Sequence, residues 1–201
     1  MTNIIDNMEA LEALYGRPKA PSLFKVANRV TPEYRAWIEA SRFCALTTVG
    51  PEGTDCSPRG DDGPVVRIMD DQTLALPDRR GNDRIDTLRN IVRDPRCSLM
   101  FLVTGSPTVI RLNGRGRITA DPELLEGFTI KGRPPRSVIL IEIDELYFQC
   151  ARAVIRAGLW NWQEAPDLPT PGQILAAMTE GAVGGASYDA EWPARAAKTM
   201  W

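Results

Sequence analysis

The run Leu74 to Ile91, LALPDRRGNDRIDTLRNI, sets three arginines (Arg79, Arg80 and Arg84), a glycine and Asn82 between an apolar stretch and an amphipathic one. Ile85, Leu88, Ile91 and Val92 recur at helical spacing, and either Asn82 or Asp83 can cap that helix. The segment therefore reads as strand, tight Gly81 turn, and a helix over Asp83–Val92. The first turn of a helix offers unpaired backbone N–H groups and the positive end of its dipole, which together bind anions. Arginine makes bidentate contacts with phosphate oxygens, and a phosphate monoester carries roughly −1.5 to −2 charge at neutral pH. Ion pairing with Asp78, Asp83 and Asp86 on a solvated surface is the alternative for these arginines, at about 0–1 kcal/mol per pair.

Composition narrows the chemistry. The 201 residues contain no histidine, which removes Ser-His-Asp and Cys-His nucleophilic schemes, histidine metal sites and a histidine-ligated haem. Cys44, Cys56, Cys97 and Cys150 form no CxxC pair, so the cysteines are expected to be free thiols and no metal site is assigned. Lysine occurs only at positions 19, 25, 131 and 198, so arginine supplies nearly all the positive charge. Arg79 to Arg117 holds nine arginines against Asp83, Asp86 and Asp94, within a chain of net charge −2. A local positive field on a mildly acidic chain suits a small anion rather than nucleic acid. Apolar residues make up 43%, enough for a core, and no stretch reads as a signal or membrane span. A cytoplasmic protein with no membrane partner is expected.

The elements that must position these residues follow from periodicity. Asp6–Tyr15 reads as a helix, and Thr31-Pro32-Glu33 opens a second with Thr31 as cap. Six β-rich runs then appear: RFCALTTV, PVVRIM, TLALP, RCSLMFLV, TVIRLNGRGRITA and SVILIEIDELYF. They predict a mainly β fold with helices, a six-stranded antiparallel barrel or sandwich, interrupted by helices over 83–92 and 121–128. CARAVIRAGLW reads as helical. A Pro-rich connector leads to helices over Pro171–Thr179 and Asp189–Met200, in a tail that holds Trp162, Trp192 and Trp201. Residues 1–40 form an N-terminal helical extension, 41–160 the barrel domain, and 161–201 a C-terminal loop and helices.

Further polar residues cluster on this frame. SPRGD places Arg59 at a strand end, with Arg67 one strand later. Alternation sets Arg111 and Asn113 on one face of their strand, continued by Arg115 and Arg117. In YFQCARAVIRAGLW, Gln149, Arg152 and Arg156 project from a strand-to-helix junction, and Trp160 can lie against a ring or fill a gap. Cys150 sits at the same junction, where a helix start and nearby arginines favour its thiolate.

The order RIMDD, LALPDRRGNDRIDTLRN, DPRCSLMFLV, LNGRGRITADPELL resembles the FMN-binding split-barrel proteins related to pyridoxamine 5′-phosphate oxidase, over roughly Ser41 to Trp160. The finer pattern looks like a flavin-binding branch rather than the vitamin B6 enzyme itself, whose C-terminal Arg-x-His element is replaced here by EWPARAAKTMW. The resemblance implies a split barrel that forms a homodimer, with FMN at the interface. By position it assigns Arg67 to the strand approaching the isoalloxazine, Pro77 and Asp78 to the cofactor-lining strand end, and Asn82 to Arg84 to the phosphate grip. Arg67 or Arg111 would sit near the pyrimidine edge of the ring. Flavin itself supplies hydride or electron transfer, so no side-chain acid or base is assigned as catalytic. The expected function is an FMN-dependent oxidoreductase acting on a small molecule with reduced nicotinamide or another donor. The alternatives are a non-catalytic flavin carrier, a stress-related flavoprotein, or a flavin-free sugar- or nucleotide-phosphate binder.

Overall fold

The computed structural model describes residues 4–164 and 166–200; Trp201 lies outside the described residues. Short helices lead in, α1 (Met8–Tyr15), α2 (Ala20–Phe24) and α3 (Pro32–Ala40), the last capped by the Thr31 hydroxyl with Pro32 in its first turn. The sheet comprises β1 (Phe43–Gly50), β2 (Gly53–Gly60), β3 (Arg67–Ile68), β4 (Thr73–Pro77), β5 (Arg96–Leu102), β6 (Val109–Thr119) and β7 (Val138–Gln149). Its order is β2-β1-β5-β6-β7-β4-β3, antiparallel throughout. Helices α4 (Asp86–Arg93), α5 (Pro122–Glu126) and α6 (Arg152–Ala157) punctuate it, and α7 (Pro171–Met178) and α8 (Gly185–Thr199) follow.

Alternation builds the core. Cys44 and Leu46 of β1, Leu99 and Phe101 of β5, Ile110 and Leu112 of β6, and Ile139, Ile141 and Leu146 of β7 are buried in one cluster. Each large side chain so buried contributes about 1.5–3 kcal/mol relative to exposure. The register between β6 and β7 shifts at Asn113/Gly114, where Asp144 is the extra residue of β7. A Cβ on Gly114 would stand 2.1 Å from the Glu142 carbonyl oxygen, so the backbones approach there too closely for any side chain.

The sheet is a split barrel whose strands number seven, not six. The additional strand is β2, GTDCSPRG. Its polar composition and Pro58 hide it from a hydrophobic pattern, but the whole strand pairs with β1 from Phe43↔Gly60 to Gly50↔Gly53. The PVVRIM run narrows to the two residues of β3. Val65 and Val66 are buried ahead of it, and the Val65 N–H donates to the Ser41 carbonyl at 2.8 Å instead of joining the ladder. The final helix begins at Gly185, four residues before the expected Asp189. Among the described residues no helix is long and apolar enough to cross a membrane.

Candidate functional site

The sheet curls until the end of β2 faces the end of β4. Asp55, Ser57 and Arg59 of β2 pair with Thr48, Leu46 and Cys44 of β1, all three of which are buried. Thr87, buried in the first turn of α4, donates its hydroxyl to Asp55 Oδ2 at 2.6 Å, and Ser57 donates to the same oxygen at 3.0 Å. This pins α4 to β2. Across the gap, Arg59 Nη1 donates to Asp78 Oδ1 at 2.8 Å. Pro77, at the end of β4, is buried just ahead of Asp78. Arg79 Nε and Nη2 donate to Asp61 Oδ2 at 3.0 and 2.8 Å, and its Nη1 donates to the Phe128 carbonyl at 2.6 Å.

Between these elements lies a cavity of about 620 Å³, lined by Ser57, Arg59, Arg80, Asn82, Arg84 and Thr87 among others. Its rim is strained: Asp83 and Ile85 both take left-handed φ values, 58° and 54°. Such strain in a β-branched residue costs on the order of 1–3 kcal/mol and gathers at binding sites. Neither Asn82 nor Asp83 caps the helix, which begins three residues later than the spacing predicts. Ile85 is the N-cap residue, and no side chain caps α4. Asn82 Oδ1 accepts from the Arg84 N–H at 3.2 Å, and Asp83 pairs with Arg136 at 3.1 Å, so both oxygens serve the turn instead. Ile91 is buried on the expected apolar stripe and Leu88 packs against the core, whereas Ile85 and Val92 are exposed.

The uncapped first turn of α4 thus opens into a cavity flanked by arginines. Arg84 Nε pairs with Asp86 at 2.8 Å on a side chain that is 75% exposed and that lines the cavity. The Arg59 Nε is buried and has no hydrogen-bond partner among the described residues. Buried polar atoms of this kind are rare and call for an acceptor. The arrangement is suited to holding an anion.

Not every expected site residue gathers here. Arg67 lies at a neighbouring cavity of about 540 Å³, its guanidinium 4.0 Å from the Phe128 ring centroid and donating to the Gly127 carbonyl at 2.5 Å. Arg79 lines both cavities. Arg111 and Asn113 alternate with buried Leu112 and face the other side of the sheet. There Arg111 lies 5.3 Å from the Tyr147 ring centroid, and Asn113 donates to Glu145 at 2.9 Å. Arg156 is exposed in the last turn of α6, and Trp160 donates its indole N–H to the Ser106 carbonyl at 2.5 Å. Within one chain these four stand apart from the arginine cavity.

Asp55, Ser57, Thr87 and Arg136 line the cavity without having been singled out as site residues. Ser57 sits inside the SPRGD motif, but Asp55 and Arg136 carry no local signal, because only the tertiary curl brings them in. Among the thiols, Cys150 is exposed and shifted below the ordinary range, chiefly by a hydrogen bond from the Arg152 backbone N–H. Burial pushes Cys44 and Cys97 each up to about 12.

Three solved structures share features of this architecture. An FMN-binding protein from Syntrophomonas wolfei is 17% identical over 71% of this chain and 96% of that one, with a TM-score of 0.44. A FAD-binding protein from Mesorhizobium loti is 15% identical over 61% and 94%, with a TM-score of 0.43. General Stress Protein 26 from Bacillus anthracis is 17% identical over 57% and 88%, with a TM-score of 0.44. No curated protein matches the chain. The family model of pyridoxamine 5′-phosphate oxidase matches residues 30–150, from two residues before α3 through the strand-to-helix junction at Cys150. That span is more than half of the chain and contains the whole sheet, and the chain belongs to the pyridoxamine 5′-phosphate oxidase family.

Proposed function

We propose that this protein binds FMN and acts as a flavin-dependent oxidoreductase on a small molecule. The observation that carries the reading is the start of α4, uncapped among the described residues, opening into a cavity that also presents Arg59, Arg80 and Arg84. A volume of about 620 Å³ falls in the usual range for cofactor sites. The phosphate of FMN would bring acceptor oxygens to the first-turn amides of α4 and would share Arg84 with the Asp86 carboxylate that also lines the cavity. When bound, the flavin supplies hydride or electron transfer.

The chain's own residues bind and orient. Arg84 and Arg80 grip the phosphate, and the Asn82 to Arg84 turn shapes its seat. Arg59, held by Asp78, supplies positive charge behind that seat, with Pro77 as the apolar wall beside it. Arg79, committed to Asp61 and the Phe128 carbonyl, holds the two cavities in register. Arg67 stands at the adjoining cavity, where its cation would stabilise negative charge on a bound flavin ring. The family resemblance implies a homodimer with FMN at the interface, and in it Arg111, Asn113, Arg156 and Trp160, which face elsewhere in one chain, would meet the cofactor of a second copy.

Binding of FMN and of riboflavin, compared by flavin fluorescence titration, tests this assignment. FMN is expected to bind more tightly by at least about 1.5–3 kcal/mol, the worth of hydrogen bonds to a charged group, and Arg84→Ala is expected to remove most of that difference. Equal affinity for the two flavins would move the phosphate out of this cavity.

A further inference from the structure

Helices α7 and α8 lie beyond the matched residues 30–150 and form a tightly built pair. Thr170 caps α7 in a reciprocal capping box with Gln173. Asp189 of α8 accepts from the Thr170 hydroxyl at 2.5 Å and from the Gly172 N–H at 2.8 Å. A Cβ on Gly172 would stand 2.4 Å from the Gly185 carbonyl oxygen, so the two helices meet backbone to backbone. The pair therefore moves as a unit, at the end of a connector containing Pro166 and Pro169.

Its far end reaches a smaller space that shares Arg59, Arg80 and Gly81 with the arginine cavity. Met200, immediately after α8, lines a space of about 220 Å³ together with Arg59, Pro77, Arg80 and Gly81. It also lines a second space of about 350 Å³ with Arg42, Asp61 and Arg79. The Lys198 carbonyl, two residues earlier, accepts from Arg133 Nη1 at 3.0 Å. Arg133 projects from a tight turn closed by reciprocal Ile130–Arg133 backbone hydrogen bonds. Ile130 in turn lines the Arg67 cavity, so the anchor of α8 and the groove it overhangs share one piece of backbone.

We infer that the last turn of α8 is a hinged cover over the Pro77–Gly81 end of the groove: Arg133 latches it, and Met200 is the side chain a ligand touches and must displace to leave. The inference rests on the flavin reading for the identity of that ligand. Methionine suits the role, since its unbranched, polarizable side chain adapts to whatever lies beneath it. Surface hydrogen bonds to a helix end open at the low end of a protein's local stabilities, as a cover must.

Two measurements on the full chain test the cover. In ligand-free protein, amide hydrogen exchange at Ala197–Met200 is expected to be at least about tenfold slower than in a free peptide, and Arg133→Ala is expected to abolish that protection. With FMN bound, release on dilution is expected to speed up about tenfold in both Met200→Asp and Arg133→Ala, with Met178→Ala, at the exposed end of α7, unchanged. Terminal amides that exchange like free peptide in the parent protein would overturn the inference. So would FMN release within about twofold of the parent in both variants. If the parent binds no FMN, the flavin reading fails, and the exchange measurement, which needs no flavin, still decides the cover.

Discussion

Arg59 and Asp78 meet at 2.8 Å across the gap between the first and sixth strands of the sheet, each side chain only 19% exposed. Beside them Arg79 and Asp61 meet at 2.8 Å, with Asp61 7% exposed. A hydrophobic seam would close the barrel as well. A polar one also sets two arginines, Arg59 and Arg79, in the wall of a cavity. Stability and binding are therefore coupled at this seam.

That coupling is measurable in a double-mutant cycle. Arg59→Ala strands the Asp78 carboxylate in a largely enclosed position and is expected to cost about 1–3 kcal/mol of stability in urea unfolding. The Arg59→Ala/Asp78→Ala double variant should recover part of that loss, with a coupling energy of about 0.5–3 kcal/mol. FMN affinity should fall in both, because Asp78 only positions the guanidinium. Strictly additive losses would mean the pair is a bystander.

The close approach of β6 to β7 supplies a second test. Gly114→Ala forces a methyl to 2.1 Å from a backbone oxygen that cannot swing aside, so a loss of about 1–3 kcal/mol or more is expected. Ile91→Ala, by contrast, opens a core cavity beneath α4 and should cost about 2–5 kcal/mol. Thermal unfolding of both variants checks the strand register and the helix face together.

These two sites also show what the linear chain reveals. The Ile91 stripe, the Thr31 cap, the β5–β6–β7 alternation and the arginine-rich turn are all written in local spacing, and the structure contains them. The start of α4 is not, because Asn82 and Asp83 are drawn to Arg84 and Arg136, and a left-handed Ile85 takes the cap position. Strand β2 escapes notice because its ladder to β1, rather than apolar side chains, makes it a strand. Of the cavity, the Arg80–Arg84 rim is legible as one contiguous motif. Asp55 and Arg136 are brought to it only by the curl of the sheet, which no local spacing encodes.

Stability should depend on pH through the buried thiols. Cys44 and Cys97 have an ordinary value of 9.0 and stand at about 12 in the fold, raised by burial. Below pH 9 both states keep the protons, so the contribution is fully present. As pH rises from 9 toward 12 the unfolded chain loses them first, and stability falls by about 1.4 kcal/mol per pH unit for each thiol. Urea unfolding across this range should show a steeper alkaline loss for the parent than for Cys44→Ala/Cys97→Ala. Identical slopes would mean the thiols ionise alike in both states.

Cys150 should behave in the opposite way. Its lowered value and exposure predict alkylation by iodoacetamide well before Cys44 or Cys97, with a rate that levels off below the ordinary thiol range as pH rises. Peptide mapping of a partially alkylated sample reads both features. Equal labelling of Cys150 and the buried pair would contradict the described environment.

The most direct test of the central claim is the visible absorption spectrum of the freshly purified protein, followed by identification of any chromophore released on denaturation. The account predicts a yellow protein, or a colourless one that turns yellow stoichiometrically with added FMN, and FMN as the released compound. A protein that carries no flavin and fails to bind added FMN would contradict it and assign the arginine cavity to some other phosphate.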